Sequence, residues 1–385
     1  MLAGGGSQRR HTNPWESVKP CLDCGSVLPV RDTTVLREGP QEDERWDRFV
    51  YEHPGGTVYH LAAWSQILAK AYRFRPRYLK LESEDGELRG VMPLTSRRGL
   101  ITGTRMRSLP VIAIGGPLGA DEPVEVELLR AACEEACERG CQLWIDSARP
   151  LPEGRDPQLR EAPRPPTWVS ALPADGELEA WLRERSNNLR RGVNRARKRG
   201  VEVRLADSAS DLRSFYRLYL ATMRKHGSPP RSWTQLSLSR ELLGKRVFRL
   251  FLAEHEGKAV AGGIFHEFND TLELLYNGSD AGALDLRPNH GLYEGVIDWA
   301  GKRGLKSLDL GFAPEGSNLA NFKQQWGGEL VPRFHYMLPA SGMRRAAATR
   351  VAASTRRRAG PLSTLWGRMP VALTRASAIF YYRYL

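Results

Sequence analysis

The stretch RYLKLESEDGELRGVMPL, residues 77–94, is the most informative about the fold, because a later stretch of the chain repeats its pattern. Each runs from an apolar segment, through an acidic turn closed by glycine, to a second apolar segment, and such a pattern predicts a β-hairpin. The later stretch is RLFLAEHEGKAVAGGIFH, residues 249–266. The matching positions are Leu79 with Leu250, Leu81 with Leu252, and Gly86 with Gly257. A hairpin that recurs in this way indicates an internal duplication.

A second repeated pattern follows each hairpin, a helix and then a short apolar strand. The first copy covers residues 128–146 and the second covers residues 292–310. In both copies a glycine, Gly140 or Gly304, follows the helix, where glycine is a common C-terminal cap. The alternation predicts an α/β (α+β) fold with two similar domains, each a mixed β-sheet flanked by helices.

Composition divides the chain into four parts. We interpret residues 1–30 as an N-terminal extension, 31–165 as the first domain and 166–340 as the second domain, which is expected to carry the active site. Residues 341–385 form an Arg-rich C-terminal tail. The proline-rich segment 148–167 predicts the linker between the domains.

The charge is concentrated in the tail. The formal net charge is +13, and the tail holds nine arginines and no acidic residue, so residues 1–340 carry only +4. The tail ends in the apolar and aromatic TLWGRMPVALTRASAIFYYRYL. Such a segment fits the anionic inner face of a membrane, or an RNA backbone, or an unstructured extension, and the sequence leaves these alternatives open.

Several classes of protein are excluded or disfavoured. No run approaches 18 uncharged apolar residues, and the N-terminus lacks the apolar core of a signal peptide, so we expect a cytoplasmic protein. Cys21 and Cys24 form a lone CxxC without a second ligand pair, so no metal site is expected. Three further cysteines recur along a helix and are expected to be small buried residues: Cys133, Cys137 and Cys141.

Four segments, in this order, resemble the FemABX family. They are RSNNLRRGVNRARKRGVEV, FYRLYLATMRKHGSPP, LYNGSDAGALDLRPNHGLYEGVIDWA and LDLGFAPEGSNLANFKQQWGGE. The resemblance covers roughly residues 46–340 and implies two tandem GNAT-like domains. It also implies an aminoacyl-tRNA-dependent transferase of peptidoglycan cross-bridge synthesis, or a related FemAB-like protein of exopolysaccharide or secondary-metabolite systems.

The resemblance also implies a catalytic pair in NFKQQWGGEL. Phe322 and Lys323 fall on the family's Phe-Lys pair, whose lysine lies at the reacting carbonyl. Direct acyl transfer to an amine passes through a tetrahedral oxyanion, which a positioned cation stabilises by about 2.7–4 kcal/mol. Trp326 is expected to wall the substrate cleft. A surface lysine in an aromatic-rich turn is the alternative.

Four other residues are predicted to bind substrate. Arg190 belongs to a cation-rich helix predicted over 181–203, which could bind phosphates of the acceptor or a tRNA backbone, or could simply be a solvated face. Tyr276 and Asp309 end apolar strands near the predicted cleft. Asn289 is expected to be a helix N-cap first and a cleft residue second.

The residues therefore favour a FemAB-like N-acyltransferase. Aminoacyl-tRNA is the expected co-substrate, without a further cofactor, and the acceptor is expected to be an amine of an anionic cell-envelope precursor or small peptide. Residues 287–291 do not have the Gln/Arg-x-x-Gly-x-Gly/Ala spacing of a CoA pyrophosphate loop. The alternatives are an acyl-CoA-dependent N-acyltransferase of exopolysaccharide synthesis, or a non-catalytic tandem GNAT protein that binds RNA or membrane, with peripheral inner-membrane contact through the tail.

Overall fold

The computed structural model describes most of the two predicted domains and a few residues of the tail. The described residues are 33–38 (backbone), 44–99, 103–109, 114–340 and 379–382. The Cys21 and Cys24 pair and most of the Arg-rich tail lie outside the described residues, so the predictions made for them stay predictions.

The part of the chain up to residue 165 alternates strands and helices and includes a short 3-10 helix, Val58–His60. Its elements are β1 Thr33–Glu38, α1 Glu44–Glu52, α2 Ala62–Tyr72, β2 Arg75–Ser83, β3 Leu88–Gly99, β4 Gly103–Arg107, β5 Leu118–Gly119, α3 Glu122–Glu138, β6 Gln142–Ser147 and β7 Arg160–Glu161.

The second part of the chain repeats this alternation, with a further 3-10 helix at Ala281–Leu286. Its elements are β8 Thr167–Ala171, α4 Leu178–Arg183, α5 Asn187–Lys198, β9 Glu202–Ala206, α6 Ala209–Lys225, α7 Trp233–Val247, β10 Phe248–His255, β11 Lys258–Phe268, β12 Thr271–Ser279, α8 Pro288–Lys302, β13 Ser307–Gly311, α9 Asn318–Gln325, β14 Glu329–Val331 and β15 Phe334–Leu338.

Both predicted hairpins are present as antiparallel pairs, β2 with β3 and β10 with β11. Gly86 and Gly257 have φ angles of 80° and 73°, the left-handed conformation that glycine adopts without steric cost. The predicted helix-to-strand repeats are α3 followed by β6 and α8 followed by β13. The mixed α/β fold expected from the duplication is therefore confirmed.

The strands of the described residues form two mixed sheets. The first has the order β1-β2-β3-β4-β6-β15-β7, with β5 beside β3, and the second has the order β14-β8-β13-β12-β11-β10-β9. The assignment of residues 166–340 to one domain needs a correction here, because β15 pairs with β6 and β7 of the first sheet. Its alternate residues Tyr336 and Leu338 enter the core under α3 and cover what would otherwise be an open edge of β6.

Three clusters of buried apolar residues hold the two sheets and their helices together. One lies under α3 in the first part of the chain, and one lies under α8 in the second. The third joins the two parts, since it packs Trp64 and Tyr72 of α2 with Phe215 of α6 and Leu250 of β10. The surface between the two sheets is thus a shared hydrophobic core. We call the boundary between the two parts of the chain, where Tyr59, Arg231, Glu273 and Tyr276 lie, the groove.

The helix predicted over 181–203 is interrupted. The structure has α4 and α5 instead, and the Ser186 side chain caps α5 by accepting the backbone N–H of Leu189. Serine competes with the helical backbone in this way and favours a new helix start. In the described part of the chain, no helix is long and apolar enough to cross a membrane.

Candidate active site

The second sheet opens between two parallel strands, β12 and β13. They pair over three positions, the last of which joins Glu273 to Asp309. Beyond that point β12 stays with β11 and β13 stays with β8, so residues 274–277 lie half-buried in the middle of the sheet. We call the opening between residues 274–277 and residues 310–313 the splay. Its unpaired backbone groups are available to a ligand.

Lys323 lies at the edge of the splay. It belongs to α9, whose start Ser317 caps by accepting the backbone N–H of Ala320. The side chain is only 3% exposed, and its Nζ donates to the carbonyls of Gly311 (2.9 Å) and Phe312 (2.8 Å). A lysine ammonium has three N–H donors, so one remains for a ligand. The arrangement holds a cation with a spare donor at the open end of β13.

Burial sets the proton affinity of this lysine. Desolvation lowers the pKa of Lys323 to about 8, and the negative charge of Asp309 opposes that shift. A charged ammonium in such a poorly solvated place acts more strongly on a nearby developing charge than it would in water. Lys323 is therefore suited to stabilise an oxyanion, the role that the family resemblance implies for it.

Asp309 anchors the end of β13. It is buried, and its Oδ1 accepts hydrogen bonds from Thr167 Oγ1 (2.5 Å) and the backbone N–H of Gly311 (2.8 Å). Its Oδ2 accepts one from Arg333 Nη2 (2.6 Å). One of these bonds is thus local, from the backbone N–H two residues further along the chain. With these partners, Asp309 shapes the turn whose carbonyls hold Lys323.

Aromatic rings pack around Phe322, the neighbour of the lysine on α9. Phe322 is half-buried, and its ring lies 5.4 Å from that of His290 and 5.2 Å from that of Tyr293, both edge-on. Trp326 has no exposed surface and packs on Trp181 at 6.3 Å and on Phe322 at 6.2 Å. In this structure Trp326 supports Phe322 from within the core, and its predicted contact with substrate stays a prediction.

The start of α8 differs from the expectation for Asn289. The helix begins at Pro288, with Arg287 as its N-cap in the left-handed conformation (φ 57°), so Asn289 is already inside the first turn. Proline is favoured as the first helical residue because it lacks an N–H and has a preset φ, and this displaces the cap by two residues. The N-cap prediction for Asn289 is wrong. Its Oδ1 is buried without a hydrogen-bond partner.

Tyr276 lies on β12 at the groove between the two parts of the chain. Its hydroxyl accepts a hydrogen bond from Gln235 Nε2 (3.0 Å), and Gln235 Oε1 in turn accepts one from Tyr72 of α2 (2.6 Å). Burial raises the pKa of Tyr276 to about 12, so the phenol stays neutral. The predicted position beside the opened strands agrees with this location, and its contact with substrate stays a prediction.

Arg190 lies on α5, outside the splay. Its Nη2 donates to Asn187 on the same helix, and its Nε is buried without a partner. Helix α5 reaches α9 through a hydrogen bond from Asn188 Nδ2 to Gln325 Oε1 (3.2 Å). Arg190 is therefore near the helix that carries Lys323 but is not brought together with it by any direct contact in the described residues.

Two groups in the groove escaped the sequence analysis. Glu273 ends the paired part of β12, and its Oε1 accepts a hydrogen bond from Tyr59 (2.6 Å), which lies more than two hundred positions earlier in the chain. Arg231 is 6% exposed, and its Nη1 is buried without a hydrogen-bond partner. No local motif marks either residue. The acidic side chain in an apolar strand was the signal for Glu273, and the isolated cation after two prolines was the signal for Arg231.

The described part of the tail reaches this groove through Tyr382. The described part of the tail, residues 379–382, is helical. Tyr382 contacts both parts of the chain, since its hydroxyl donates to the carbonyl of Pro229 (2.9 Å) and its own carbonyl accepts from Arg97 Nη1 (3.3 Å). The ring of Tyr382 covers the guanidinium of Arg231, with 4.1 Å from Cζ to the ring centroid. The groove is thus occupied at one end by the chain's own tail.

The comparisons with known proteins agree with this geometry. The family model described as "Acetyltransferase (GNAT) domain" matches residues 183–324, which include the splay and Lys323. A UDP-N-acetylmuramoylpentapeptide-lysine N(6)-alanyltransferase from Weissella viridescens is 22% identical, and the match covers 71% of this chain and 84% of that protein.

Solved structures share the fold over most of the chain. The crystal structure of FemX superposes with a TM-score of 0.62 at 16% identity, covering 83% of this chain and 100% of that one. The C-terminal domain of a putative lysylphosphatidylglycerol synthetase from Agrobacterium fabrum has a TM-score of 0.52 at 16% identity, with 81% and 95% covered. The chain thus shares the fold of FemX, and its residues 183–324, which carry the Phe-Lys pair at the splay, resemble a GNAT acetyltransferase domain.

Proposed function

We propose that the protein is an N-acyltransferase that moves an aminoacyl group from aminoacyl-tRNA to an amine of an anionic cell-envelope precursor. The observation that carries the proposal is the position of Lys323, whose Nζ is fixed by two carbonyls and keeps one donor for the splay. A fixed donor acts on the transition state without reorganising, which is the most effective form of electrostatic catalysis.

Direct transfer fits the groups in the splay. In this reaction the amine attacks the acyl carbonyl, the oxyanion forms next to the lysine, and the ester bond to the donor then breaks. The reaction needs a cation for the oxyanion and a proton acceptor for the amine, but no nucleophilic serine or cysteine. Lys323 supplies the first requirement. The rings of Phe322 and Tyr293 pack edge-on beside the helix that carries the lysine.

An anionic acceptor fits the groove between the two sheets. Arg231 is a buried guanidinium that pairs with no acidic side chain among the described residues, and its Nη1 lacks a hydrogen-bond acceptor. Leaving a buried charge without a partner is costly, and a ligand phosphate or carboxylate would satisfy it. The relative from Weissella viridescens is named for a nucleotide-linked muramoyl pentapeptide acceptor, which is anionic and carries a lysine amine.

The cations of α5 support an RNA-linked donor. Four of them, Arg190, Arg191, Lys198 and Arg199, pair with no acidic side chain in the described part of the chain. The helix is nevertheless less basic than its sequence indicates, because Arg197 pairs with Glu179 and Glu294 and Arg195 approaches Asp285 (3.6 Å). A row of unpaired cationic side chains is suited to contact a phosphate backbone, with an affinity that falls as salt rises.

The test is a transfer assay with defined donors. Purified full-length protein is incubated with UDP-N-acetylmuramoyl pentapeptide and alanyl-tRNA, and the acceptor mass is followed with and without ribonuclease. We expect a mass gain of one alanyl group that is lost after ribonuclease treatment. Parallel reactions contain acetyl-CoA or charged tRNAs of other amino acids. An acceptor that gains mass with acyl-CoA alone would replace the tRNA donor with CoA.

A protein without turnover would support the remaining alternative, a binding module. In that case retention of RNA or of anionic vesicles by the inactive protein is the informative measurement. We expect charged and uncharged tRNA to bind with a steep salt dependence, because the contacts proposed on α5 are to phosphates. Replacing Arg191 and Arg199 by glutamine should weaken RNA binding without changing the affinity for the acceptor.

A further inference from the structure

Glu273 occupies a particular place at the base of the splay. It is the last residue of β12 that pairs with β13, where it lies beside Asp309, and it is opposite His266 of β11. Neighbouring residues in register point to the same face of a sheet. That face looks toward the first part of the chain, because the Glu273 carboxylate accepts its hydrogen bond from Tyr59 of the first 3-10 helix. Glu273 therefore lies between the groove and the splay.

The carboxylate is held on one side and open on the other. Its Oε1 accepts the 2.6 Å hydrogen bond from Tyr59, whereas its Oε2 accepts none among the described residues. The side chain is partly exposed. Asp309, the neighbouring acid, has both oxygens committed to Thr167, Gly311 and Arg333. Of the two carboxylates at the splay, Glu273 is thus the one with an oxygen available to a ligand.

The charged and titratable groups around Glu273 are few. Tyr59 faces it from the first 3-10 helix, His266 from β11, Asp309 from β13 and Arg333 from the segment before β15. Burial and the negative charge of Asp309 raise the pKa of Glu273 to about 8, while the Tyr59 hydrogen bond and Arg333 act in the opposite direction. Burial lowers the pKa of His266 to about 3, so that imidazole is neutral. A pKa near neutrality is the condition for an efficient general base.

We propose that Glu273 accepts the proton released by the acceptor amine, with Tyr59 holding its carboxylate in position. The inference rests on the proposed acyl transfer. As the amine nitrogen bonds to the acyl carbon, the N–H proton passes to the Glu273 carboxylate. The tetrahedral oxyanion then collapses, the bond from the acyl carbon to the donor oxygen breaks, and that oxygen takes up one proton. The proton that nitrogen loses thus balances the proton that the leaving hydroxyl gains.

The other titratable side chains near the splay are less suited to this step. Asp309 is saturated with hydrogen bonds. His290 packs against Phe322 on the helix side, and burial with repulsion from Arg287 lowers its pKa to about 4. The amino group of Lys323 is bound to two carbonyls, and its charge is needed at the oxyanion. Among the described residues near the splay, only Glu273 combines a free oxygen, a position toward the acceptor groove and a raised pKa.

The experiment compares Glu273→Gln and Tyr59→Phe with the wild type and with Glu202→Gln, a matched change of an exposed acid on β9. Rates of transfer to the natural-type amine and to hydroxylamine are measured as a function of pH. We expect Glu273→Gln to lower the amine rate by about 10²–10⁴-fold, the usual contribution of a general base. Its rate with hydroxylamine should fall much less, because that nucleophile is neutral and loses its proton easily.

The Tyr59→Phe variant tests the positioning. Because the tyrosine hydrogen bond lowers the pKa of Glu273, its removal should move the acidic limb of the rate profile to higher pH. The inference would be overturned if the acidic limb of the pH–rate profile were unchanged in both variants. It would also be overturned if Glu273→Gln lost the same factor in rate with the amine and with hydroxylamine. Tyr59→Phe also decides the outcome if Glu273→Gln does not fold.

A titration independent of activity separates this inference from the proposed function. The carboxyl resonance of Glu273, assigned by its absence in Glu273→Gln, is followed by carbon-13 NMR in the full chain. A pKa of about 8 is expected, against the ordinary value of 4.5. An ordinary value overturns the role of Glu273, even in an active enzyme. Inertness toward every donor overturns the proposed function, and the role of Glu273 in transfer with it.

Discussion

The two sheets end their central parallel pairs in different ways. In the second sheet β12 and β13 separate after Glu273, and the carbonyls at the end of β13 are bound by Lys323. In the first sheet the corresponding strands, β4 and β6, remain joined beyond their pairing. The Ser108 N–H donates to the Trp144 carbonyl (2.8 Å), and the Ser108 hydroxyl accepts the Asp146 N–H (3.0 Å). One opening is available to a ligand, and the other is closed by the chain itself.

The aspartates near the ends of the two strand pairs, Asp309 and Asp146, have correspondingly different partners. Asp309 supports the turn whose carbonyls bind Lys323. Asp146 instead forms ion pairs with Arg107, Arg164 and His335. The first sheet has therefore kept the architecture of the duplicated unit and lost the opening. The duplicated fold thus provides two frames, and of the two described sheets only the second has an opened parallel pair that could receive a donor.

The largest expected effect comes from removing the lysine at the open pair. Lys323→Ala should lower the transfer rate by about 10²–10³-fold, the cost of losing one oxyanion donor. The control is Lys306→Ala, a change of an exposed lysine next to β13. Rates under single-turnover conditions are compared after circular dichroism has confirmed that both variants fold. A folded Lys323→Ala protein with full activity would show that the lysine at the open pair has no role in the reaction.

The second prediction concerns Asp146, which lies at the closed pair of β4 and β6. Burial raises the pKa of Asp146, but Arg107, His335 and Arg164 outweigh it and lower the value to about 2. The pKa is depressed relative to the unfolded chain, so the ion pairs stabilise the fold above about pH 4, and this contribution is lost as the pH falls toward 2. Asp146→Asn should cost about 3 kcal/mol at neutral pH and progressively less in acid.

Urea unfolding of wild type and Asp146→Asn at several pH values measures this difference. The transfer rate of the folded variant should be unchanged, because the proposed donor site is the splay of the second sheet. Asp309→Asn is the matched change at the open pair, and it should reduce both stability and rate. Loss of rate in Asp146→Asn at temperatures where it remains folded would show that the closed pair also takes part in the reaction.

The smallest expected effect lies in the groove between the sheets. Tyr382 of the tail covers Arg231, so an anionic acceptor must displace this ring. Tyr382→Ala should lower the acceptor KM by about threefold with kcat unchanged, because a larger fraction of the protein is then competent to bind. Phe380→Ala, an exposed neighbour on the same turn, is the control. An unchanged or raised KM in Tyr382→Ala would mean that Arg231 does not meet the acceptor.

Local patterns predicted much of the fold. The glycine-closed hairpins and the capped helices were visible because turn geometry and helix ends depend on a few adjacent residues. The break at Ser186 and the helix start at Pro288 were missed, although both follow local capping rules, since the neighbouring apolar periodicity concealed them. The placement of β15 in the first sheet was not visible. Strand pairing over a distance depends on which edge is open, and no short pattern records that.

The residues of the candidate site were likewise predicted only in part. Lys323 was identified through its aromatic neighbours and the family resemblance, and Asp309 through its place at a strand end. Glu273 was overlooked because an acid in an apolar strand is a routine exposed position until a tyrosine from another part of the chain meets it. Arg231 was overlooked because its importance lies in burial without an acidic partner, which is a property of the packed protein.

The duplicated α/β frame, the hairpins and the lysine that follows a buried strand can be recognised from the sequence alone. These features rest on periodicity, turn chemistry and capping, which act over a few residues. The tertiary structure decided which parallel pair opens, which strand crosses to the other sheet, and which side chains meet at the groove. Those outcomes depend on contacts between residues far apart in the chain, such as Tyr59 with Glu273, whose energies arise only when two packed surfaces exclude water.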